Sequence, residues 1–457
     1  MLKQKLFYFF CVFSIVCFSQ NKPILYDFAN QPQSQLLNPA IDLDNKYHIG
    51  VPLLGGLHAE IGLKNFDIYD FFGANSISFY EKLLNLSDQL TPNDYFTING
   101  QVDILNGGFR LGEKNYLSFG FYQETDAIAY YPEDAIDLYL AGNELNRVYN
   151  VSHMNFKADV LGVFHVGLSK KINEKIHLGT RLKLYTSILQ AQSKNNTGTV
   201  LTAEGDNNLL IHYLNNIDIN IETSGLLMQQ EREEDEEASA YTLAEALSKN
   251  LGLGIDFGFV NQISPQLKLT ASILDFGFIS HSNRVQNYTV KGEYTFEGVE
   301  ANFTGSAATR SWADLERDLD ERLPYRKNTE SYISLRPLKI NASMKYSFGK
   351  YRSKLCYDNT YKKKFTSAVG AQLFSVIRPL GPQLALTGFF ETDVTRNFTA
   401  KLTYTADSYS LSNIGIGAST KIGKVNFYGT IGNLAQFIDL SRSKTFSAQM
   451  GISFISN

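Results

Sequence analysis

The sequence predicts an all-β protein: a transmembrane antiparallel β-barrel of about 14 strands (about 12 to 16), with an N-terminal hatch and short helices in long external loops. Three observations predict this fold. Apolar and polar residues alternate along most of the chain, and tight turns are interspersed with long connections. In addition, no segment after residue 20 reaches the roughly 18 consecutive apolar residues that indicate a membrane-spanning helix.

The first 20 residues have the pattern of a secretory signal peptide. Two lysines precede an apolar run over residues 6–18, and the small residue Ser19 follows it. We therefore predict a signal peptide over 1–20 and an exported mature protein. Of the three cysteines only Cys356 lies outside the signal peptide, so the mature chain is expected to have no intramolecular disulfide.

Period-two alternation marks the strands of the barrel that we predict over 53–457. Apolar residues predominate at every second position of 176–184, 217–221, 338–348 and 446–454. The chain has 32 Phe and 26 Tyr against one Trp, and aromatic residues favour strands and membrane interfaces. A soluble β-sandwich also alternates, but segments of about ten residues favour a barrel that crosses a bilayer.

Two kinds of connection separate the alternating segments. Tight turns occur at 112–115, 173–175, 349–350 and 423–424. Long loops are expected at 125–158, 190–208, 223–250 and 281–335. Short periplasmic turns at one rim and long external loops at the other are typical of bacterial outer-membrane barrels. The sequence therefore predicts the outer membrane of a Gram-negative bacterium as the location.

Three short helices are expected in the long loops. The first covers Tyr131 to Leu145 and the second Tyr241 to Leu251. The third follows Ser311, with Asp314 three residues later as in a capping box. Leucines at every fourth position then give this helix a narrow apolar stripe. The stripe either packs on the loop itself or docks a partner over the barrel mouth.

Residues 21–52 differ from the rest of the mature chain. They contain four prolines, which oppose both a helix and a central strand, together with several Asn and Gln residues. A barrel of about 14 strands has room for a plug in its lumen. We predict that 21–52 form an N-terminal hatch inside the barrel, and a periplasmic tail is the alternative.

Both ends of the mature chain carry a family resemblance. The stretches 32–40 and 46–54 and the C-terminal runs 413–428 and 449–455 resemble an uncharacterised Bacteroidetes-type family of outer-membrane β-barrels. More distantly, the chain is similar to long-chain fatty-acid transporter barrels and to barrel components of the type IX secretion system. The resemblance implies about 14 strands and an N-terminal hatch, and it carries over no catalytic residues. The hatch or ligand-gating candidates are Asn38, Pro39 and Ala40.

Charged residues and one histidine fall at positions that the alternation assigns to the lumen. Their mixed signs favour a hydrated or salt-bridged interior over a strongly ion-selective one. The lumen-facing candidates are His177, Arg181, Lys183, Asp218, Glu222, Asp256, Lys339, Lys345, Arg352, Lys354 and Asp358.

The remaining charge features and the motif search mainly argue against particular functions. The run from Glu231 to Glu237 is typical of a solvated loop, although it could also gather cations or meet a basic partner. With 42 basic and 46 acidic residues the net charge is −4, which argues against nucleic-acid binding. The sequence has no HExxH motif, no cysteine cluster and no GxSxG motif, so we expect no metal site, no cofactor and no enzymatic activity.

The sequence thus predicts an outer-membrane barrel that contacts membrane lipid. Its expected function is to transport or bind a hydrophobic or amphipathic small molecule through a hatch-gated lumen. The alternative is a barrel that serves as a membrane anchor or scaffold for secretion or surface-assembly partners.

Overall fold

The computed structural model describes residues 22–67, 69–70, 77–205, 209–225, 249–297, 312–350, 365–411, 413–434 and 443–456. Several sequence predictions lie outside these residues. They are the signal peptide over 1–20, the acidic run 231–237, most of the helix over 241–251, and the lumen candidates Arg352, Lys354 and Asp358.

The described part of the chain contains 21 β-strands. They are β1 (Tyr47–Gly50), β2 (Leu57–Leu63), β3 (Tyr95–Leu111), β4 (Asn115–Tyr130), β5 (Val148–Asn150), β6 (Phe156–Lys171), β7 (Ile176–Ser193), β8 (Thr197–Glu204), β9 (Leu210–Gly225), β10 (Leu251–Gln262), β11 (Leu267–His281), β12 (Asn287–Phe296), β13 (Tyr325–Asn328), β14 (Tyr332–Leu335), β15 (Lys339–Lys350), β16 (Phe365–Arg378), β17 (Gly381–Asp393), β18 (Phe398–Asp407), β19 (Asn413–Ile422), β20 (Val425–Gly432) and β21 (Thr445–Ser456).

Three α-helices occur in the same residues: α1 (Phe79–Ser87), α2 (Glu133–Leu140) and α3 (Trp312–Arg322). Short 3₁₀ turns cover Pro32–Leu36 and Val151–His153. The helices α2 and α3 lie in loops where the sequence predicts short helices. Within the described ranges, no helix combines the length and apolarity that a membrane span requires.

Fourteen antiparallel barrel strands, counted over the described residues, form a closed sheet. The pair β1 and β2 makes the first barrel strand, and the pair β14 and β15 makes the eighth. The other twelve are β3, β4, β6, β7, β10, β11 and β16 to β21. The last strand returns to the first, because Phe454 pairs with Ile49 and Phe446 pairs with Ile61. The predicted all-β antiparallel barrel of about 14 strands is confirmed.

The barrel wall has an apolar outer face. On β6 the outward residues Phe164, Val166 and Leu168 are exposed, while His165 and Gly167 between them are buried. Other exposed apolar residues of the wall are Leu178, Leu182, Leu253, Phe257, Met344, Leu373, Leu386, Leu402, Ile416, Met450 and Phe454. Soluble monomers seldom expose an apolar surface that continues around the whole molecule. This outer face therefore contacts the hydrocarbon of a membrane.

The two rims of the barrel differ in what they carry. One rim has short turns at 112–114, 172–175, 263–266, 394–397 and 423–424. The other carries the helices and a sheet extension made of β5, β8, β9, β12 and β13. Much of the predicted loops 190–208 and 281–335 belongs to this extension. Strands can continue past the bilayer because their backbone groups still pair with one another.

Candidate functional site

The N-terminal segment lies inside the barrel. Residues 23–28 are buried, and Leu25, Tyr26 and Leu37 form an apolar cluster with Tyr428 of β20. No α-helix or β-strand forms over residues 22–45, as the prolines predict. The segment therefore fills lumen space with side chains and a 3₁₀ turn. The predicted range 21–52 extends too far, because its residues Tyr47–Gly50 form β1 of the barrel wall.

The turn Asn38-Pro39-Ala40 lies against two glycines of the wall. Gly179 of β7 pairs directly with Gly258 of β10. A Cβ atom on Gly179 would lie 2.2 Å from the carbonyl carbon of Pro39. One on Gly258 would lie 2.3 Å from Oδ1 of Asn38. The wall thus accepts this turn only because neither position has a side chain.

The Asn38 side chain fixes the turn from both ends. Its Oδ1 accepts a hydrogen bond from the backbone N–H of Ala40 at 3.0 Å. Its Nδ2 donates to the hydroxyl of Tyr26 and to the backbone carbonyl of Ala271, each at 3.2 Å. Asn38 is fully buried, so these partners satisfy polar groups that would otherwise destabilise the buried turn.

Lysines of three wall strands hold the segment at Tyr26 and Asp27. Lys268 forms an ion pair with Asp27 at 2.5 Å. Lys345 donates to the Asp27 carbonyl at 3.1 Å, and Lys401 donates to the Tyr26 carbonyl at 2.8 Å. Burial alone would raise the pKa of Asp27, but Lys268 and Lys345 outweigh it and lower that pKa. The carboxylate is thereby kept charged.

Arg181 of β7 joins the N-terminal segment to the charged part of the lumen. Its Nε donates to Asp256 at 2.7 Å, and its two terminal nitrogens donate to the carbonyls of Gln35 and Leu36 at 2.9 and 2.7 Å. Only 1% of the side chain is exposed. The planar guanidinium can satisfy one carboxylate and two carbonyls at once, which a lysine cannot do with the same geometry.

A chain of ion pairs then crosses the lumen. Lys183 contacts Asp256 at 3.0 Å and Asp275 at 2.5 Å. Lys339 contacts Asp275 at 2.9 Å and Glu124 at 3.0 Å. Because each lysine lies between two carboxylates, no member of this chain is an isolated buried charge.

Two arginines form further ion pairs with carboxylates of β4 and β6. Arg336 contacts Glu124 at 3.0 Å and Asp159 at 3.3 Å. Arg378 pairs with Asp126 at 2.7 Å. Together these ten residues form what we call the lumen cluster, whose five cations and five carboxylates balance in charge. Its members are Arg181, Lys183, Arg336, Lys339, Arg378, Glu124, Asp126, Asp159, Asp256 and Asp275.

The structure brings some of the sequence candidates together and separates others. Arg181, Lys183, Asp256 and Lys339 are members of the lumen cluster, and Lys345 contacts the N-terminal segment. The half-buried His177 lines a small cavity near the short-turn rim. Asp218 and Glu222 lie on β9 in the sheet extension, where they pair with Lys291 at 2.7 Å and Lys194 at 2.9 Å.

Six members of the lumen cluster are absent from the sequence candidates: Glu124, Asp126, Asp159, Asp275, Arg336 and Arg378. A signal existed for two of them. Glu124 and Asp126 alternate in β4 with residues that face the membrane, and they share their face with Tyr122 and Ile128. Arg336 lies between β14 and β15, where the alternation is interrupted, so its position could not be assigned by period-two counting.

A small chamber lies between the N-terminal segment and the lumen cluster. Its volume is about 100 Å³, and its walls include Lys22, Leu36, Glu124 and Lys339. Burial lowers the pKa of the Lys22 ammonium to about 8, and this group donates a hydrogen bond to Gln101. The chamber thus combines apolar wall residues with the ammonium group of Lys22, which loses its proton more easily than an exposed lysine does.

A larger cavity lies where the eighth barrel strand is interrupted. Residues 336–338 separate β14 from β15, and Asp275 opposite them has a left-handed backbone with φ of 61°. The cavity measures about 1290 Å³. It is lined by the outward residues Leu253, Phe276 and Leu335 and also by lumen residues such as Lys183 and Arg336. We call it the wall cavity, because it touches both faces of the barrel wall.

The described residues contain no group of three or more His, Cys, Asp and Glu side chains that could hold a metal ion.

Residues 39–432 match a family of unknown function (DUF5723). This chain belongs to that family. A comparison with curated proteins finds no significant match. The family description assigns no activity, so a function has to be argued from the geometry of the lumen and the wall.

Several solved barrels are similar in structure. The toluene transporter TbuX of Ralstonia pickettii is 9% identical, with 93% of this chain and 94% of that chain covered and a TM-score of 0.43. A FadL homologue of Pseudomonas aeruginosa is 10% identical, with 94% of each chain covered and a TM-score of 0.43. The translocator domain of the autotransporter NalP from Neisseria meningitidis is 8% identical, with 91% and 90% covered and a TM-score of 0.30.

Proposed function

We propose that this protein is an outer-membrane barrel of a Gram-negative bacterium that binds or passes a hydrophobic or amphipathic small molecule. Residues 22–45 act as its hatch, and the lumen cluster acts as the closed gate beneath the wall cavity. The observation that carries the proposal is the wall cavity, which reaches from lipid-facing side chains to lumen cations.

The composition of the cavity lining supports a ligand with an apolar body. Leu253, Phe276 and Leu335 are each more than half exposed on the outer face and also line the cavity. A molecule dissolved in the bilayer meets these side chains without first crossing water. Binding in the cavity exchanges contacts with lipid for contacts with the apolar lining, so the apolar part of the ligand stays away from water.

The charges of the lining support a polar or anionic end. Five basic residues line the wall cavity against one acidic residue, Asp275, and they are Lys157, Lys183, Lys194, Arg336 and Arg378. Lys183, Arg336 and Arg378 also pair with carboxylates of the lumen cluster. The cavity therefore meets their N–H donors, which suit a carboxylate better than a cationic group of the same size. The apolar and basic parts together fit an amphipathic molecule.

The lumen cluster and the hatch account for a closed resting state. Lys183, Asp275 and Arg378 line both the wall cavity and the smaller chamber behind it. A ligand that moves from one space to the other must therefore separate ion pairs of the cluster. The hatch fills the lumen beyond the chamber, so passage also requires a shift of residues 22–45.

Ligand binding can be tested on purified protein in nanodiscs by native mass spectrometry. The probes are dodecanoate, dodecanol and dodecyltrimethylammonium. We expect dodecanoate to bind most tightly and the cationic probe least. The double variant Phe276→Ala/Leu335→Ala should weaken dodecanoate binding about tenfold, because truncating two large apolar contacts removes at least ~1.4 kcal/mol.

The matched control is Phe390→Ala/Leu402→Ala, which truncates a paired Phe and Leu on the outer face of β17 and β18 away from the wall cavity and the chamber. It should bind dodecanoate as the unmodified protein does. Failure of all three probes to bind, or equal losses in the two double variants, would contradict a ligand site in the wall cavity.

Hatch gating needs a separate test. Asp27→Cys and Lys268→Cys, made in a Cys356→Ser background, place thiols at an observed ion pair. A short thiol-reactive cross-linker should then stop dodecanoate uptake into liposomes and leave its binding intact. Uptake at the unmodified rate after cross-linking would contradict gating by the hatch.

The scaffold function remains the second candidate, and the sheet extension favours it. Five strands and α3 rise beyond the barrel rim around a core of Ile217, Tyr294 and Leu323. A folded extension of this kind can present a surface to a secretion or surface-assembly partner. Isolation in mild detergent should then yield a stoichiometric partner, which deletion of the extension would remove.

A further inference from the structure

The helices α1 and α2 pack on the outside of the barrel and not over its mouth. His58 and Glu60 of β2 face the lumen, where they line the small chamber. Ile61 of the same strand therefore faces outward. Ile61 and Phe96 of β3 pack against a cluster that contains Leu86, at the end of α1, and Ile136 of α2. We call residues 77–90 and 133–140 the outer lobe.

The outer lobe lies at the external boundary of the membrane. Ile61 pairs with Phe446, the second residue of β21, and the N–H of Leu63 donates to the carbonyl of Lys444 just before that strand. The neighbouring β20 has only 8 residues, close to the roughly 9 to 11 that cross a bilayer. The ends of these short strands therefore mark the level of the headgroups, and the lobe covers the wall at that level.

The outer lobe exposes aromatic side chains next to the covered wall. Phe79 is 56%, Tyr80 50% and Tyr139 83% exposed. The Tyr80 hydroxyl donates to the carbonyl of Leu140 at 2.8 Å and so joins α1 to α2. A capping box between Ser78 and Glu81 fixes the start of α1. The exposed rings are thus held on a rigid pair of helices.

We propose that the outer lobe is a lipid-binding surface that lies in the external headgroup region, with Phe79, Tyr80 and Tyr139 against the lipid. Two observations carry this assignment: the lobe is continuous with the lipid-facing wall, and its exposed residues are aromatic. Tyrosines concentrate at this depth, because the ring can contact acyl chains while the hydroxyl reaches the headgroups, and Phe79 adds a wholly apolar ring that can enter the acyl region. The surface is independent of the wall cavity and of any ligand in the lumen.

Tryptophan quenching by brominated lipids tests the proposal. Trp312 is the only tryptophan of the chain, so Trp312→Phe gives a silent background. In that background, Phe79→Trp is compared with Tyr325→Trp on β13 of the sheet extension, because the two native residues are 56% and 55% exposed. Phe390→Trp, on the lipid-facing side of β17, provides the upper reference.

In nanodiscs with brominated acyl chains, we expect Phe79→Trp to be quenched at least half as strongly as Phe390→Trp. Tyr325→Trp should stay close to its unbrominated intensity. Tyr139→Trp gives a second, independent site on α2, and a gel-mobility shift on heating confirms that each variant is folded. If Phe79→Trp and Tyr139→Trp are quenched no more than Tyr325→Trp, the lobe does not contact lipid and the proposal is wrong.

Discussion

Gly179 and Gly258 pair across the β7–β10 ladder, and the Asn38-Pro39-Ala40 turn lies on the flat patch that they form. Two strands that are far from the N-terminus in sequence thus each have a glycine where this turn contacts the wall. This relationship lets the turn approach the wall backbone closely, so substitutions at the two glycines report how the N-terminal segment is seated.

Gly179→Ala should displace the turn, because the new methyl group would overlap the Pro39 carbonyl. Overpacking of this kind costs about 1 to 3 kcal/mol. We expect a lower midpoint of heat-induced unfolding and faster proteolysis near residues 38–40. Gly388→Ala on β17 is the matched control, since its Cβ would meet no atom within 4 Å. An equal effect of both substitutions would contradict close seating of the turn.

Arg181→Met should destabilise the barrel, because it leaves two backbone carbonyls without their donor and leaves Asp256 to share Lys183 with Asp275. Removing one partner of a buried ion pair typically costs about 3 to 5 kcal/mol. Arg181→Met/Asp256→Asn should recover part of the lost stability, because removing the Asp256 carboxylate restores the charge balance of the lumen cluster. Lys291→Met, which breaks the exposed pair with Asp218, should change stability by less than about 1 kcal/mol. Thermal unfolding in one detergent measures all three variants.

Asp27 should make the seating of the N-terminal segment depend on pH. Its pKa in the folded protein is lowered from 3.8, so its contribution is fully present above that value and is lost as pH falls through the folded pKa. Asp27→Asn should therefore be less stable than the unmodified protein at neutral pH, and the two should converge in acid. Protection of residues 22–45 from protease as a function of pH measures this. A constant difference between the two proteins down to acid pH would contradict the role of Asp27.

Lys22 should destabilise the folded protein at neutral pH, whereas Asp27 stabilises it. Burial lowers its pKa from 10.5 to about 8, so the folded state disfavours the ammonium, and this penalty is greatest below pH 8. As pH rises from 8 towards 10.5, the folded protein loses the proton before the unfolded chain does, and the penalty fades. Lys22→Met should stabilise the protein at neutral pH and lose this advantage at high pH. Lys424→Met, in an exposed turn, should show no such trend.

The sequence predicted whether a side chain faces into or out of the barrel wherever the strand is regular. Alternation in β15 and β21 assigns inward and outward side chains, because a strand has a period of two residues. It also placed Arg181, Lys183 and Asp256 on inward positions that the structure joins into one cluster. Alternation could not assign Arg336 to the lumen, because the period of two residues is interrupted between β14 and β15.

By itself, the sequence determined the fold class, the approximate number of strands and the separate character of residues 21–52. Those features follow from local hydrophobic pattern and from proline, which act over a few residues. Only the tertiary structure decided that Lys183 lies between Asp256 and Asp275, that α1 packs on the outer wall, and that one cavity touches both faces of the barrel. These relationships depend on the register between strands and on closure of the sheet, which bring together residues that no local pattern connects.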